Sequence, residues 1–75
     1  MNIILFGQLK ELAGHASMTI DDVDDIDGLQ RELRLKYPGL AAARYVVAVD
    51  RKIIQGNRTI NNKNEIALLP PYSGG

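Results

Sequence analysis

The last eight residues, Leu68-Leu69-Pro70-Pro71-Tyr72-Ser73-Gly74-Gly75, form the stretch best suited to chemistry. An apolar pair runs into two prolines, and the sequence closes on two glycines. Proline holds φ near about −65° and drives the residue before it toward extended backbone, so a stiff, strand-like arm is expected. At about 3.3 Å per residue, Pro70 to Gly75 reaches about 20 Å. A globule of this length has a radius of gyration of only about 11 Å. The arm can therefore enter another protein's cavity while the globule stays outside. Its side chains carry no charge, which leaves the Gly75 carboxylate as its ionised group, with nothing beside it to block a narrow tunnel. A frayed terminus or a cloning remnant is the competing expectation. The Leu-Leu-Pro-Pro run joining this end directly to a strand favours the chemical one.

Seventy-five residues make one domain, with about 60% of the unfolded chain's surface buried on folding. Without cysteine, neither disulfides nor a thiolate zinc site can help, so apolar packing must hold the fold. Nine basic and nine acidic side chains cancel, which argues against a nucleic-acid binder. The apolar runs fall far short of the ~20 residues of a membrane span, and the start lacks the basic region of a signal peptide. Neither nucleic acid nor membrane is expected as a partner. The absence of cysteine fits a reducing, cytoplasmic setting.

The elements that must position the arm follow from periodicity. Ile3-Ile4-Leu5-Phe6 reads as a strand closed by Gly7, with Ile3 and Leu5 on one face and Ile4 and Phe6 on the other. Gln8 to Gly14 reads as a short helical turn with Gly14 as its C-cap. His15 reads as a solvated loop residue. Ser17 to Ile20 forms a second strand, antiparallel to the first. Five aspartates then fall within Asp21–Asp27. As a calcium loop they fail, because the first ligand position falls on Val23 and the closing glutamate on Arg34. They suit a helix N-terminus instead, and no metal site is expected. A helix from about Ile26 to Tyr37 carries Ile26, Leu29, Leu33 and Tyr37 on one face. Asp25 is the preferred N-cap over Asp27, because it keeps that face whole. Pro38-Gly39 ends the helix. Tyr45 to Val49 is a strand, Asp50-Arg51-Lys52 a turn and Ile53-Ile54 a short strand. Gln55 to Asn64 reads as polar turn material, and Glu65 to Leu69 is the strand that delivers the arm.

This order predicts an α+β fold: a mixed sheet of four to five strands cradling one main helix, in the ubiquitin-like β-grasp arrangement. Residues 1–69 form the domain and residues 70–75 the extended tail. With its terminal Gly-Gly, the chain resembles the ubiquitin-like sulfur-carrier family, and within it the small-subunit type of molybdopterin synthase. The likeness rests on Leu5 to Gly14, on Val46-Val47-Ala48-Val49-Asp50 and on the closing Glu65 to Gly75. Three positions depart from the family pattern: Asp50 in place of asparagine, Lys63-Asn64 in place of Gly-Asp, and Tyr72 in place of valine.

The resemblance implies that an E1-like adenylyltransferase uses ATP to couple the Gly75 carboxylate to AMP. A sulfur donor protein then converts it to a thiocarboxylate. The arm, Pro70, Pro71, Tyr72, Ser73 and Gly74, enters the large subunit of molybdopterin synthase, a heterotetramer, where cyclic pyranopterin monophosphate takes the sulfur. This chain binds no cofactor itself and has no acid–base or nucleophile–base pair of its own. Docking calls for an apolar patch beside the arm, for which alternation offers Phe6, Leu69 and Ile53. Core burial is the alternative, evenly matched for Ile53 and less favoured for the other two. Other functions compatible with the tail are a thiamine-thiazole sulfur carrier, a ubiquitin-like protein modifier and a plain β-grasp interaction module. The Pro-Pro pair and the Phe6–Gly14 stretch fit the thiazole carrier poorly.

Overall fold

The computed structural model describes residues 1–71. Five strands form one sheet: β1 (Asn2–Leu5), β2 (Ser17–Thr19), β3 (Val46–Val49), β4 (Lys52–Ile54) and β5 (Ile66–Leu69), in the order β2-β1-β5-β3-β4. Strand β5 is central, parallel to β1 and antiparallel to β3. A short helix α1 (Gln8–Ala13) follows β1, and the main helix α2 (Ile26–Lys36) crosses the inner face of the sheet. This is the expected α+β arrangement.

Alternation decides which side chains meet the helix. Ile3 and Leu5 of β1, Val47 and Val49 of β3, and Ile66 and Leu68 of β5 all turn inward. They pack against Ile26, Leu29 and Leu33, spaced three and four apart on α2. Among the described residues the core contains no polar or charged side chain. Tyr37, the last member of the stripe, is half-buried and meets the exposed His15 edge-on at 5.6 Å.

The start of α2 and the stops of both helices have local causes. The Asp25 carboxylate accepts from the Gly28 N–H at 2.8 Å, so Asp25 is the N-cap and Ile26 stays on the buried face. At the other end, the chain turns through a 3₁₀ turn at Pro38–Leu40 that seats Leu40 in the core. Gly14 caps α1 in the left-handed region at φ 79°.

One segment differs from its sequence reading. Within Gln55–Asn64, read as polar turn, Ile60 is fully buried. Its N–H donates to the Asp24 carbonyl, Ile26 N–H donates to the Arg58 carbonyl, and Thr59 bridges to Asp25. Asn57 completes the strap by accepting from Asp27 N–H at 2.9 Å and donating to Asp25 at 3.1 Å. The segment thus ties the start of α2 to the sheet.

Gly39 is required by contact. A methyl group at its Cα would overlap the Leu12 carbonyl oxygen, a backbone atom that cannot step aside cheaply. Gly39→Ala is expected to cost about 1–3 kcal/mol by overpacking. Thermal unfolding should show Tm falling roughly 4–8 °C for each kcal/mol lost.

Candidate functional site

The root of the tail is built by the middle strand. Leu68 faces Leu5 on one side and Val47 on the other, and Phe6 N–H donates to the Leu68 carbonyl at 3.1 Å. Leu69 still pairs with Val46. Pro70 has no N–H, so the ladder cannot continue through it. Its ring packs over Gly7, whose backbone sits at φ 58°, ψ −135°, a region effectively reserved for glycine. A Cβ on Gly7 would lie 2.9 Å from Pro70 Cγ, so a bare backbone here sets the direction in which the chain departs. Pro71 is exposed beyond it. Of the tail residues expected from the sequence, Pro70 and Pro71 are placed this way, whereas Tyr72, Ser73, Gly74 and Gly75 lie outside the described residues.

Beside the root, the outer face of the sheet carries an apolar trough. The register aligns Ile4, Ala67, Ala48 and Ile53 in one row across four strands. Two alanines in the middle and an isoleucine at each end make that row concave. Phe6 and Leu69 extend the wall toward the tail, and the trough encloses about 450 Å³. Phe6 is 45% exposed and Ile53 60% exposed, while Leu69 is half-buried. All three sequence candidates therefore share this face, and neither Phe6 nor Ile53 belongs to the core. Sequence reasoning passed over Ala48 and Ala67, since small residues give a floor its shape without announcing it. Ile4 was signalled by its alternation with Phe6.

The far end of the trough is closed by the β3–β4 turn. Asp50 and Arg51 adopt φ 52° and 70°, as a two-residue hairpin with primed geometry requires. Asp50 N–H donates to the Glu65 carbonyl, and its carboxylate accepts from Glu65 N–H and Asn64 Nδ2, each at 2.8 Å. Aspartate thus fills the role of the more usual asparagine, since both tolerate the left-handed region. The Lys63-Asn64 departure is likewise accommodated. Asn61 and Asn64 close their own turn, with Asn64 Oδ1 accepting from Asn61 N–H and Asn61 Oδ1 from Lys63 N–H at 2.8 Å. Arg51 and Glu65 face each other at 3.7 Å on the rim, where an exposed pair contributes little. Among the described residues, no cluster of three or more His, Asp or Glu side chains could hold a metal ion.

The hydrogen bonds at Asp25 and Asp50 have a consequence for pH. The Gly28 N–H, and then Asn57, holds the Asp25 carboxyl below its ordinary range. The Glu65 N–H, followed by Asn64, does the same for Asp50. A carboxyl with a depressed folded-state pKa stabilises above its unfolded value of about 3.9 and loses that contribution as pH falls through the folded value. Urea midpoints are therefore expected to hold steady from pH 7 to about pH 5 and to drop below about pH 4. The double variant Asp25→Asn/Asp50→Asn should show a shallower acid drop than the parent.

A helix cradled by a five-stranded mixed sheet, with a proline-stiffened tail leaving its central strand, defines the ubiquitin-like β-grasp class. A family model described as the ThiS family matches residues 3–75, and the chain belongs to that family. A molybdopterin synthase sulfur carrier subunit of Dictyostelium discoideum is 36% identical, the match covering 97% of this chain and 93% of that protein. The protein of the same name from Homo sapiens is 32% identical over 100% of this chain and 93% of its own length. Among solved structures, SAMP1 from Haloferax volcanii superposes with a TM-score of 0.82 at 23% identity, covering 99% of this chain and 97% of that one. A chain from the complex of subunits 1 and 2 of molybdopterin-converting factor from Helicobacter pylori gives 0.74 at 25%, covering 99% and 96%. The family resemblance drawn from the terminal signature is borne out.

Proposed function

We propose that this chain is the sulfur-carrier subunit of a molybdopterin synthase and that Gly75 carries the sulfur as a thiocarboxylate. The observation that carries this reading is a hydrogen-bonded central strand that ends at Pro70-Pro71 beside an apolar trough, in a sequence closing on Gly-Gly. Names shared by the full-length relatives point the same way.

The chemistry starts from a carboxylate, which is a poor electrophile because an oxide leaving group is high in energy. An E1-like partner joins the Gly75 carboxylate to the α-phosphorus of ATP, and pyrophosphate leaves. The terminal sulfur of a donor persulfide then attacks the acyl carbon and expels AMP, and a thiol reductant cleaves the acyl disulfide, freeing the donor and leaving the sulfur on the acyl carbon. The resulting thiocarboxylate is anionic and nucleophilic. Inside the large subunit it gives up one sulfur to cyclic pyranopterin monophosphate, and the carboxylate returns after hydrolysis of the acyl link. Two charged carriers supply a dithiolene in turn. The catalytic pocket belongs to the partner, and this chain supplies the acyl group, the arm and the docking surface. The trough of Ile4, Phe6, Ala48, Ile53, Ala67 and Leu69 is that surface. It serves first the activating enzyme and then the large subunit.

Incubation with ATP, the adenylating enzyme and a sulfur donor should raise the intact mass by one oxygen-to-sulfur exchange. A chain lacking Gly75 should show no change; protein-sized adducts on the full chain would instead mark a modifier. A second test addresses docking. Ile53 is mostly solvent-exposed, so Ile53→Asp should fold as the parent does yet weaken binding to the large subunit by at least about tenfold, read by calorimetry.

A further inference from the structure

The tail root emerges between two grooves that both contain Arg44. One, of about 380 Å³, is lined by Gln30, Arg34, Leu40, Arg44, Tyr45 and Pro71 among others. The second, of about 470 Å³, lies on the other flank and shares Arg44 and Pro71 with the first, adding Leu12 and Pro70. Among the described residues, no carboxylate lines either groove. Neither arginine is ion-paired among those residues.

In a chain of zero formal net charge, this enclave reflects segregation rather than excess. Helix α2 starts amid Asp21, Asp22, Asp24, Asp25 and Asp27 and finishes with Arg34 and Lys36 in its last turn. Eleven residues separate the poles by about 16 Å. The basic pole is the one at the tail. Leu40 and the half-buried Tyr45 form an apolar floor beneath the two guanidinium groups, and burial pushes the Tyr45 hydroxyl up despite the nearby Arg34 charge. A charge pair formed on that floor is screened less than one in open water.

Resting on the sulfur-carrier reading, we infer that the Arg34–Arg44 groove docks a carboxylate-bearing rim around the channel that receives the tail. Four residues follow Pro71, so an inserted Gly75 lies up to about 13 Å beyond the root. Nucleotide and pterin react at that tip, out of reach of the arginines. What stands opposite Arg34 and Arg44 is the channel's mouth. Aspartate or glutamate there matches the planar, two-pronged guanidinium and steers the tail toward the opening.

The test compares the full chain with Arg34→Glu/Arg44→Glu and with the milder Arg34→Gln/Arg44→Gln. Both positions of change are exposed, and thermal unfolding checks the fold. Association with the purified large subunit and with the adenylating enzyme is followed by stopped flow at low and high salt. Charge reversal is expected to slow association at least about tenfold at low salt, with the gap closing at high salt and kcat of adenylation unchanged. The glutamine pair should fall between. Equal rates and salt slopes for parent and variants would overturn the inference, as would a salt-independent loss or a defect confined to kcat. If the parent is thiolated and the variants bind equally well, this inference alone fails. If the parent binds neither enzyme, the sulfur-carrier reading fails and takes this inference with it.

Discussion

The structure depends on β5 being hydrogen-bonded along both edges. Its parallel partner β1 and its antiparallel partner β3 hold Ile66 and Leu68 at zero exposure, in the middle of the sheet. Central strands open only with the whole domain, whereas edge strands fray at low cost. A working tail attached to β5 therefore inherits the rigidity of the entire fold. Had it followed β2 or β4, each three residues long and paired on one side only, it would hang from the least secure part of the sheet.

The small size of the chain explains where partners can bind. One main helix can cover only one face of a five-stranded sheet, and α2 covers the inner one. The outer face keeps apolar side chains because β1, β3 and β5 lie in the interior of the sheet and carry apolar residues on both sides. An uncovered apolar face is a liability for a lone monomer and an asset for a subunit. Ala48 and Ala67 turn it from a flat patch into a trough with directionality, running from the Asp50-Arg51 turn to the tail.

Much of this was legible from local pattern. Alternation separated Ile3 and Leu5 from Ile4 and Phe6, and the helical stripe chose Asp25 over Asp27 as the cap. The terminal signature identified the family. What escaped the sequence depends on contacts between distant residues. Ile60 looked like part of a polar turn until the strap brought its N–H to Asp24, and Asn57 reaches thirty positions back to Asp27. Gly39 read as a helix stop, yet its closest constraint is the Leu12 carbonyl from an earlier helix. Arg34 and Arg44 sit on different elements and converge only once α2 and the segment before β3 are packed together.

The two prolines divide the work of the junction. Pro70 ends the ladder by lacking a donor and locks its ring onto Gly7, so the chain leaves the sheet in a set direction. Pro71 restricts φ at the next step and lines the grooves on either side. Each restriction removes conformations from the unbound junction, which lowers the entropic cost of any binding that orders it.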